Sequence, residues 1–193
     1  MLKMTLKSIA RLEFARREDG TVAIETVIIL PLLFWTYLSM FSIFDAFRQY
    51  SINQKASFTI GDMISRETLP LDNDYLNGSQ DLFDYLTRSR SDSAIRVSSL
   101  AYDKTNDKFK HDWSKVRGWV EPLNDDQVRT WTDRLPLMRH NERIMVVETW
   151  SKYDPPFNTG LEKREIRNFV FTRPRYAPRV LWFDDGRDGD YLP

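Results

Sequence analysis

Residues 22–44 read VAIETVIILPLLFWTYLSMFSIF, a stretch in which Glu25 is the only charged side chain. At about 1.5 Å of rise per residue, a helix of this length reaches roughly 34 Å, enough to cross the hydrocarbon core of a bilayer. The stretch therefore predicts one membrane-spanning helix. A carboxylate inside such a helix costs roughly 2.5 to 3.5 kcal/mol on insertion scales, so Glu25 needs a partner, a route to water or a function.

The charges around this stretch predict its orientation. Lysines and arginines are concentrated before it, at Lys3, Lys7, Arg11, Arg16 and Arg17, whereas only Arg48 and Lys55 follow closely after it. The excess of basic residues keeps residues 1–20 in the cytoplasm as a leader, so the chain after residue 44 faces the periplasm. The apolar core is too long for a cleaved secretory signal and no small-residue cleavage site follows it, so we expect the helix to remain.

The amino-acid composition excludes some functions and some kinds of domain for the chain after the apolar stretch. The 28 basic residues balance the 28 acidic ones, which gives a net charge of zero and no basic face for nucleic acid. The chain has no cysteine, so a domain outside the cytoplasm cannot rely on disulfides. Aromatic residues make up 13% of the chain and can fill the core of a single domain of common size.

Sequence patterns predict an α+β domain behind the membrane helix. The absence of proline between residues 44 and 66 predicts that the helix continues as a stalk, giving one membrane and stalk helix over residues 21–66. A second helix follows, with caps at residues 72–74 and an interruption or late start at Asn77, Gly78 and Ser79. Val128, Trp131 and Leu135 predict a third helix that ends at Pro136.

Four strands complete the predicted domain. Alternating residues at 94–102 and a return at 109–116 form a hairpin around a turn at 104–107, and residues 143–153 and 166–171 supply two further strands. Helices mixed with hairpin-connected strands favour a mostly antiparallel four-stranded sheet that packs on one helical face. We expect this periplasmic α+β domain over residues 67–180, with a flexible tail at residues 181–193.

Few residues suggest catalysis or cofactor binding. His111 and His140 lack metal-ligand spacing, and no activated nucleophile motif occurs. The acidic residues at 184–190 lack the order of a calcium loop, so we expect no enzyme activity, no metal and no cofactor. The alternation of residues around Glu148 predicts a half-exposed strand position. Four tryptophans are predicted to be core residues rather than a stacking platform for sugar or nucleic acid, namely Trp113, Trp119, Trp131 and Trp150.

The N-terminal third of the chain resembles a known family. Residues 16–20 (RREDG), 21–25 (TVAIE) and 28–33 (IILPLL) are similar to the N-terminus of TadE-like pseudopilins. The resemblance covers about residues 14–45. It implies a minor, pilin-like subunit of the tight-adherence (Tad, type IVc) pilus, with other pilin or pseudopilin subunits and a prepilin peptidase as partners.

The resemblance also implies roles for individual residues. The peptidase would cut after Gly20, leaving Thr21 as the first residue and Glu25 as the fifth, while the apolar helix stays attached for assembly. Cleavage would free an α-amino group at Thr21, and Glu25 of a neighbouring subunit could pair with it and set the register of the helices. Thr26 departs from the family pattern, which often has an aromatic residue there. Pro31 predicts a kink or a loosened turn.

Two other functions are compatible with the sequence. Glu25 could reach the cytoplasmic surface without a partner, because it lies only about 6 Å along the helix from Thr21. The chain would then be an uncleaved single-pass protein whose periplasmic domain binds a partner or acts as a scaffold. A membrane-tethered enzyme is the more distant alternative, since no nucleophile or metal set is identifiable.

Overall fold

The computed structural model describes residues 19–89 and 93–183 and shows an α+β fold. A long helix comes first, and a four-stranded antiparallel sheet with two shorter helices follows. The elements are α1 (Asp19–Ser65), α2 (Asn73–Thr87), β1 (Ser93–Asp103), β2 (Lys108–Arg117), α3 (Asp125–Arg129), β3 (Arg143–Tyr153) and β4 (Arg164–Thr172). The chain divides into two compact units, one of Met1–Phe44 with Pro156–Leu161 and one of Asp45–Pro155 with Glu162–Pro193.

Helix α1 confirms the prediction of one long, continuous N-terminal helix. It begins two residues before the predicted start at 21 and ends at Ser65, next to the predicted end at 66. Its last part is amphipathic, because Ala56, Ile60 and Ile64 are buried in the core of the sheet unit. Residues 1–18 of the leader predicted at residues 1–20 lie outside the described residues.

Helix α2 corrects the predicted interruption at residues 77–79. The helix runs through this segment without a break, and the Asp72 carboxylate caps it by accepting from the Tyr75 N–H at 2.7 Å. The Ser79 hydroxyl donates to a carbonyl within the helix, and Gly78 borders open space. Glycine costs about 1 kcal/mol in a helix interior, and the burial of Phe83 and its apolar neighbours outweighs this cost.

The sheet confirms the predicted four antiparallel strands, with the order β2-β1-β3-β4. The predicted turn at residues 104–107 joins β1 to β2. The Asp103 carboxylate fixes this turn by accepting from the Thr105 N–H at 3.0 Å and from the Asn106 side chain at 2.7 Å. These bonds, together with one from Lys110, hold the pKa of Asp103 well below its usual range.

Both faces of the sheet are covered, which corrects the prediction of a sheet packed on one helical face. Residues such as Ile95 and Val147 pack with α1 and α2, whereas Leu100 and Val146 pack in a second cluster with Trp131 and the segment around α3. The sequence did not predict the second cluster because its cover is mostly irregular chain.

The predicted third helix is shorter than expected. Helix α3 ends at Arg129, before Trp131 and Leu135, although both side chains are buried. A capping box between Asn124 and Gln127 begins the helix. Trp131 and Leu135 are buried although they lie in turns, and their spacing in the sequence is that of a helix. The periodicity therefore predicted a helix that is too long.

The predicted tail boundary at residue 181 is too early. The Leu71 N–H donates to the Leu181 carbonyl at 2.8 Å, and the Phe183 N–H donates to the Leu71 carbonyl at 2.7 Å. Trp182 packs against Trp113 with ring centroids 5.5 Å apart. Residues 181–183 therefore belong to the folded unit, while the remaining tail at 184–193, with its acidic run, lies outside the described residues.

Candidate membrane and assembly helix

Within residues 19–89 and 93–183, one helix is long and apolar enough to cross a membrane. It occupies Val22–Ser65 of helix α1. Its first half matches the apolar stretch of the sequence, and its second half is the amphipathic part in the sheet unit. The candidate site is therefore residues 22–44 of α1, which we call the apolar segment.

Most of the apolar segment is uncovered. Apart from Leu38, which is partly buried, its large apolar side chains are between 41% and 72% exposed, the extremes being Ile29 and Val27. An apolar surface of this extent is far larger than the patches that water-soluble monomers expose. It favours lipid or other apolar helices as the surroundings of the segment.

The serine and threonine hydroxyls of the apolar segment are satisfied within the helix. Thr26, Thr36, Ser39 and Ser42 each donate to the carbonyl oxygen four residues earlier, at distances of 2.7 to 3.0 Å. Polar groups in hydrocarbon are costly unless they have internal partners. These hydroxyls therefore do not oppose immersion of the segment in lipid.

Glu25 is the one charged side chain of the apolar segment. Its side chain is exposed and forms no hydrogen bond or ion pair with any residue that the structure describes. It lies about 12 Å along the helix axis from Leu33, the midpoint of the segment, against a hydrocarbon half-thickness of about 15 Å. A partner for this carboxylate must come from outside the described chain or from the water and headgroups at the membrane surface.

The predicted processing and kink positions all lie on α1. Gly20 and Thr21 belong to its first turn, and Thr21 precedes Glu25 by one helical turn. The helix continues without a break through Pro31, whose missing N–H leaves the Val27 carbonyl without its usual donor. The kink at Pro31 and cleavage after Gly20 both stay predictions.

No family model, curated protein or solved structure matches this chain.

A hydrogen bond holds α1 where it leaves the apolar segment. The Tyr153 hydroxyl, at the end of β3, donates to the Asp45 carboxylate at 3.1 Å. Burial of the ring, followed by this bond, raises the pKa of Tyr153 to about 12, so the hydroxyl keeps its proton at neutral pH. The sheet unit therefore contacts α1 from the first residue after the apolar segment.

The other residues singled out in the sequence lie elsewhere in the sheet unit. His111 is paired with Asp125 at 2.6 Å, and the His140 ring accepts from the Lys104 N–H at 3.2 Å. Among the described residues, no group of three or more histidine or acidic side chains could hold a metal ion. The two histidines therefore have separate surface contacts rather than a shared site.

The tryptophans divide between the core and the surface. Trp131 and Trp150 are buried and Trp113 is partly buried, as predicted. The core prediction is wrong for Trp119, which is 44% exposed and stacks under the Lys152 ammonium at 4.5 Å. A stacked cation shields part of the ring from water, so this tryptophan can stay at the surface.

The prediction of a half-exposed Glu148 is also wrong. Its side chain is fully buried, and its two oxygens accept from the Arg96 Nε at 2.7 Å and from an Arg167 terminal nitrogen at 2.7 Å. Both guanidinium groups also stack on Trp150, at 5.2 and 5.1 Å from the ring centroid. This cluster links β1, β3 and β4. Strand alternation could not identify it, because pairing of the strands decides which arginines lie beside Glu148.

Proposed function

We propose that this chain is a minor, pilin-like (pseudopilin) subunit of a Tad, type IVc, pilus assembly system. Helix α1 anchors it in the inner membrane, with the N-terminus in the cytoplasm and the sheet unit in the periplasm. A prepilin peptidase cuts after Gly20, and the processed helix then packs with other pilin subunits and enters an extracellular pilus. The observation that supports this most is the largely uncovered apolar segment, whose one carboxylate, Glu25, has no partner among the residues that the structure describes.

The continuity of α1 supports an assembly role beyond simple anchoring. The same helix that exposes the apolar segment continues to Ser65 and contributes Ala56, Ile60 and Ile64 to the core of the sheet unit. A tether needs only an unstructured linker after the membrane, whereas here one continuous helix supplies both the apolar segment and part of a folded core. The Asp45 carboxylate accepts from the Tyr153 hydroxyl at 3.1 Å, so the helix contacts the sheet already at Asp45.

The role proposed for Glu25 follows from its energetics. An unpartnered carboxylate in an apolar helix is costly, and the α-amino group freed at Thr21 of a neighbouring subunit would supply the missing opposite charge. Pairing between subunits would fix how far one helix is displaced along the next. This register is what a helical filament requires.

Cleavage is tested by the mass of the mature protein. In cells with an active prepilin peptidase, we expect the membrane-extracted protein to begin at Thr21, and in cells without the enzyme at Met1. A Gly20→Asp variant should remain uncut, since a side chain replaces the glycine at the proposed cut site. Mass spectrometry of the intact protein measures all three. An N-terminus at Met1 in cells with the active enzyme would rule out processing.

Assembly is tested at Glu25. We expect a Glu25→Lys variant to insert into the membrane but to lose at least about tenfold in cross-linking to pilin subunits, because like charges now meet at the proposed pair. Thr26→Lys is the matched control, since it adds the same charge one position away and keeps Glu25. Equal cross-linking by Glu25→Lys and the wild type would contradict the pairing.

A second function, an uncleaved membrane-anchored binding or scaffold protein, is favoured by a cleft in the sheet unit. The cleft has a volume of about 910 Å³, and residues from α1, the end of α2, β3 and β4 line it. Asn53 is one of them, and its buried amide oxygen has no donor among the residues that the structure describes. Under this function, changes at Gly20 and Glu25 would be silent, whereas Asn53→Leu would abolish partner binding.

A further inference from the structure

The loop between β3 and β4 contacts the apolar segment of α1. Residues Pro156–Leu161 of this loop belong to the same compact unit as that segment. The ring of Phe157 packs edge-on against the ring of Phe41, with centroids 5.8 Å apart and an angle of 67° between the planes. Both rings nevertheless remain 40% or more exposed, so the contact leaves apolar surface uncovered.

The position of Phe41 gives the depth of this contact in a membrane. Phe41 lies about 12 Å along the helix axis from Leu33, the midpoint of the apolar segment, whereas the hydrocarbon half-thickness is about 15 Å. In an upright helix, Phe41 is therefore just inside the hydrocarbon. A side chain packed on Phe41 must lie near the level where acyl chains meet headgroups.

The composition of the β3–β4 loop suits the boundary between acyl chains and headgroups. Residues 155–161 read PPFNTGL and carry no charge, while the charged residues Asp154 and Lys163 pair at 2.6 Å on either side of them. The Thr159 N–H donates to the Phe157 carbonyl at 3.0 Å, and Gly160 takes a positive φ of 93°. Two prolines and this turn restrict the backbone around Phe157, so the ring is presented at low entropic cost.

We propose that the β3–β4 loop is a second membrane contact of this protein, in which Phe157 enters the interface of the bilayer beside the apolar segment of its own chain. Aromatic side chains are favoured at this level of a bilayer. The occupant of the exposed Phe157 surface is lipid, because its neighbour Phe41 lies within the segment that lipid surrounds. The inference rests on the membrane-spanning part of the proposed function and needs neither cleavage nor pilus assembly.

Single-cysteine labelling tests the proposal, since the chain has no native cysteine. An environment-sensitive fluorophore is attached to Asn158→Cys, Thr36→Cys or Thr105→Cys in the full chain, reconstituted in phosphatidylcholine and phosphatidylglycerol vesicles. Some of the lipids carry a nitroxide quencher on the acyl chain, close to the headgroup in the samples labelled at Asn158 and Thr105, and near the end of the acyl chain in the sample labelled at Thr36, which lies only about 4.5 Å along the helix axis from Leu33. All three positions are exposed in the structure, Thr36 in the apolar segment and Thr105 in the β1–β2 turn.

We expect the label at Asn158 to lose most of its fluorescence to the quencher lipid and the label at Thr105 to keep it. Adding Phe157→Asp to the Asn158→Cys variant should restore the fluorescence. Quenching at Thr36 without quenching at Asn158 would contradict the proposed loop contact but agree with the membrane span. No quenching at Thr36 would contradict both the membrane span and the loop contact. Quenching at Asn158 that survives Phe157→Asp would overturn the role given to Phe157.

Discussion

Replacing Glu148 with alanine is expected to lower the free energy of unfolding by about 3 to 5 kcal/mol, the range found when one partner of a buried ion pair is removed. Arg96 would keep its bond to the Glu121 carbonyl at 3.0 Å but lose the carboxylate with which it pairs. Its side chain is 8% exposed, so water cannot replace the lost partner. Since typical domains are stable by only about 5 to 15 kcal/mol, the loss is a large fraction of the total.

The change in free energy of unfolding caused by Glu148→Ala is measured by urea unfolding of the full chain in detergent, monitored by tryptophan fluorescence. Glu165→Ala is the matched control, because it removes the same charged group from an exposed position on β4. Surface substitutions of this kind usually change stability by less than about 0.5 kcal/mol. If Glu148→Ala and Glu165→Ala unfold at the same urea concentration, the buried cluster does not stabilise the fold.

Gly118→Ala is expected to destabilise the sheet unit by roughly 2 to 6 kcal/mol, from backbone strain and from a clash. Gly118 has a φ of 91°, a conformation that residues with a Cβ rarely adopt. An added Cβ would also lie 2.7 Å from the Ala94 Cβ and 2.8 Å from the Ser93 carbonyl oxygen. These neighbours are largely backbone of β1, so they cannot move aside without disturbing the strand.

Gly160→Ala is the control that separates backbone strain from the steric clash in the effect of Gly118→Ala. Gly160 has a similar φ of 93°, but an added Cβ would meet no atom within 4 Å. Gly160→Ala therefore introduces the backbone strain without the clash. Its loss in free energy of unfolding should be smaller than that of Gly118→Ala by about 1 to 3 kcal/mol. Thermal unfolding of the two variants, followed by near-ultraviolet circular dichroism, gives the difference. Equal losses would show that β1 accommodates the added methyl group.

Local patterns predicted most of the elements. The bounds of β3 agree with the predicted strand at 143–153, because β-branched and aromatic residues fill it and Pro155 follows its end. The cap at Asp72 was predicted for the same kind of reason, since a short polar side chain before an apolar run satisfies the free N–H groups of a helix. These signals act over a few residues and need no knowledge of the fold.

Two of the errors share one cause. Trp119 was predicted to lie in the core, and Glu148 at a half-exposed strand position. At both residues a contact with a distant part of the chain decided the outcome, because Lys152 stacks on Trp119 and Arg96 reaches Glu148. Such contacts depend on which strands are neighbours, and alternation along one strand does not contain that information.

The sequence by itself determined the apolar segment, its single carboxylate at Glu25 and the α+β class, because hydrophobic length and periodicity are local properties. Only the tertiary structure decided that both faces of the sheet are covered, that two arginines enclose Glu148, and that Phe157 packs on Phe41. The sequence could not predict these contacts because the residues that form them lie far apart along the chain. Phe41 and Phe157 belong to separate elements, and folding of the intervening strands brings them together.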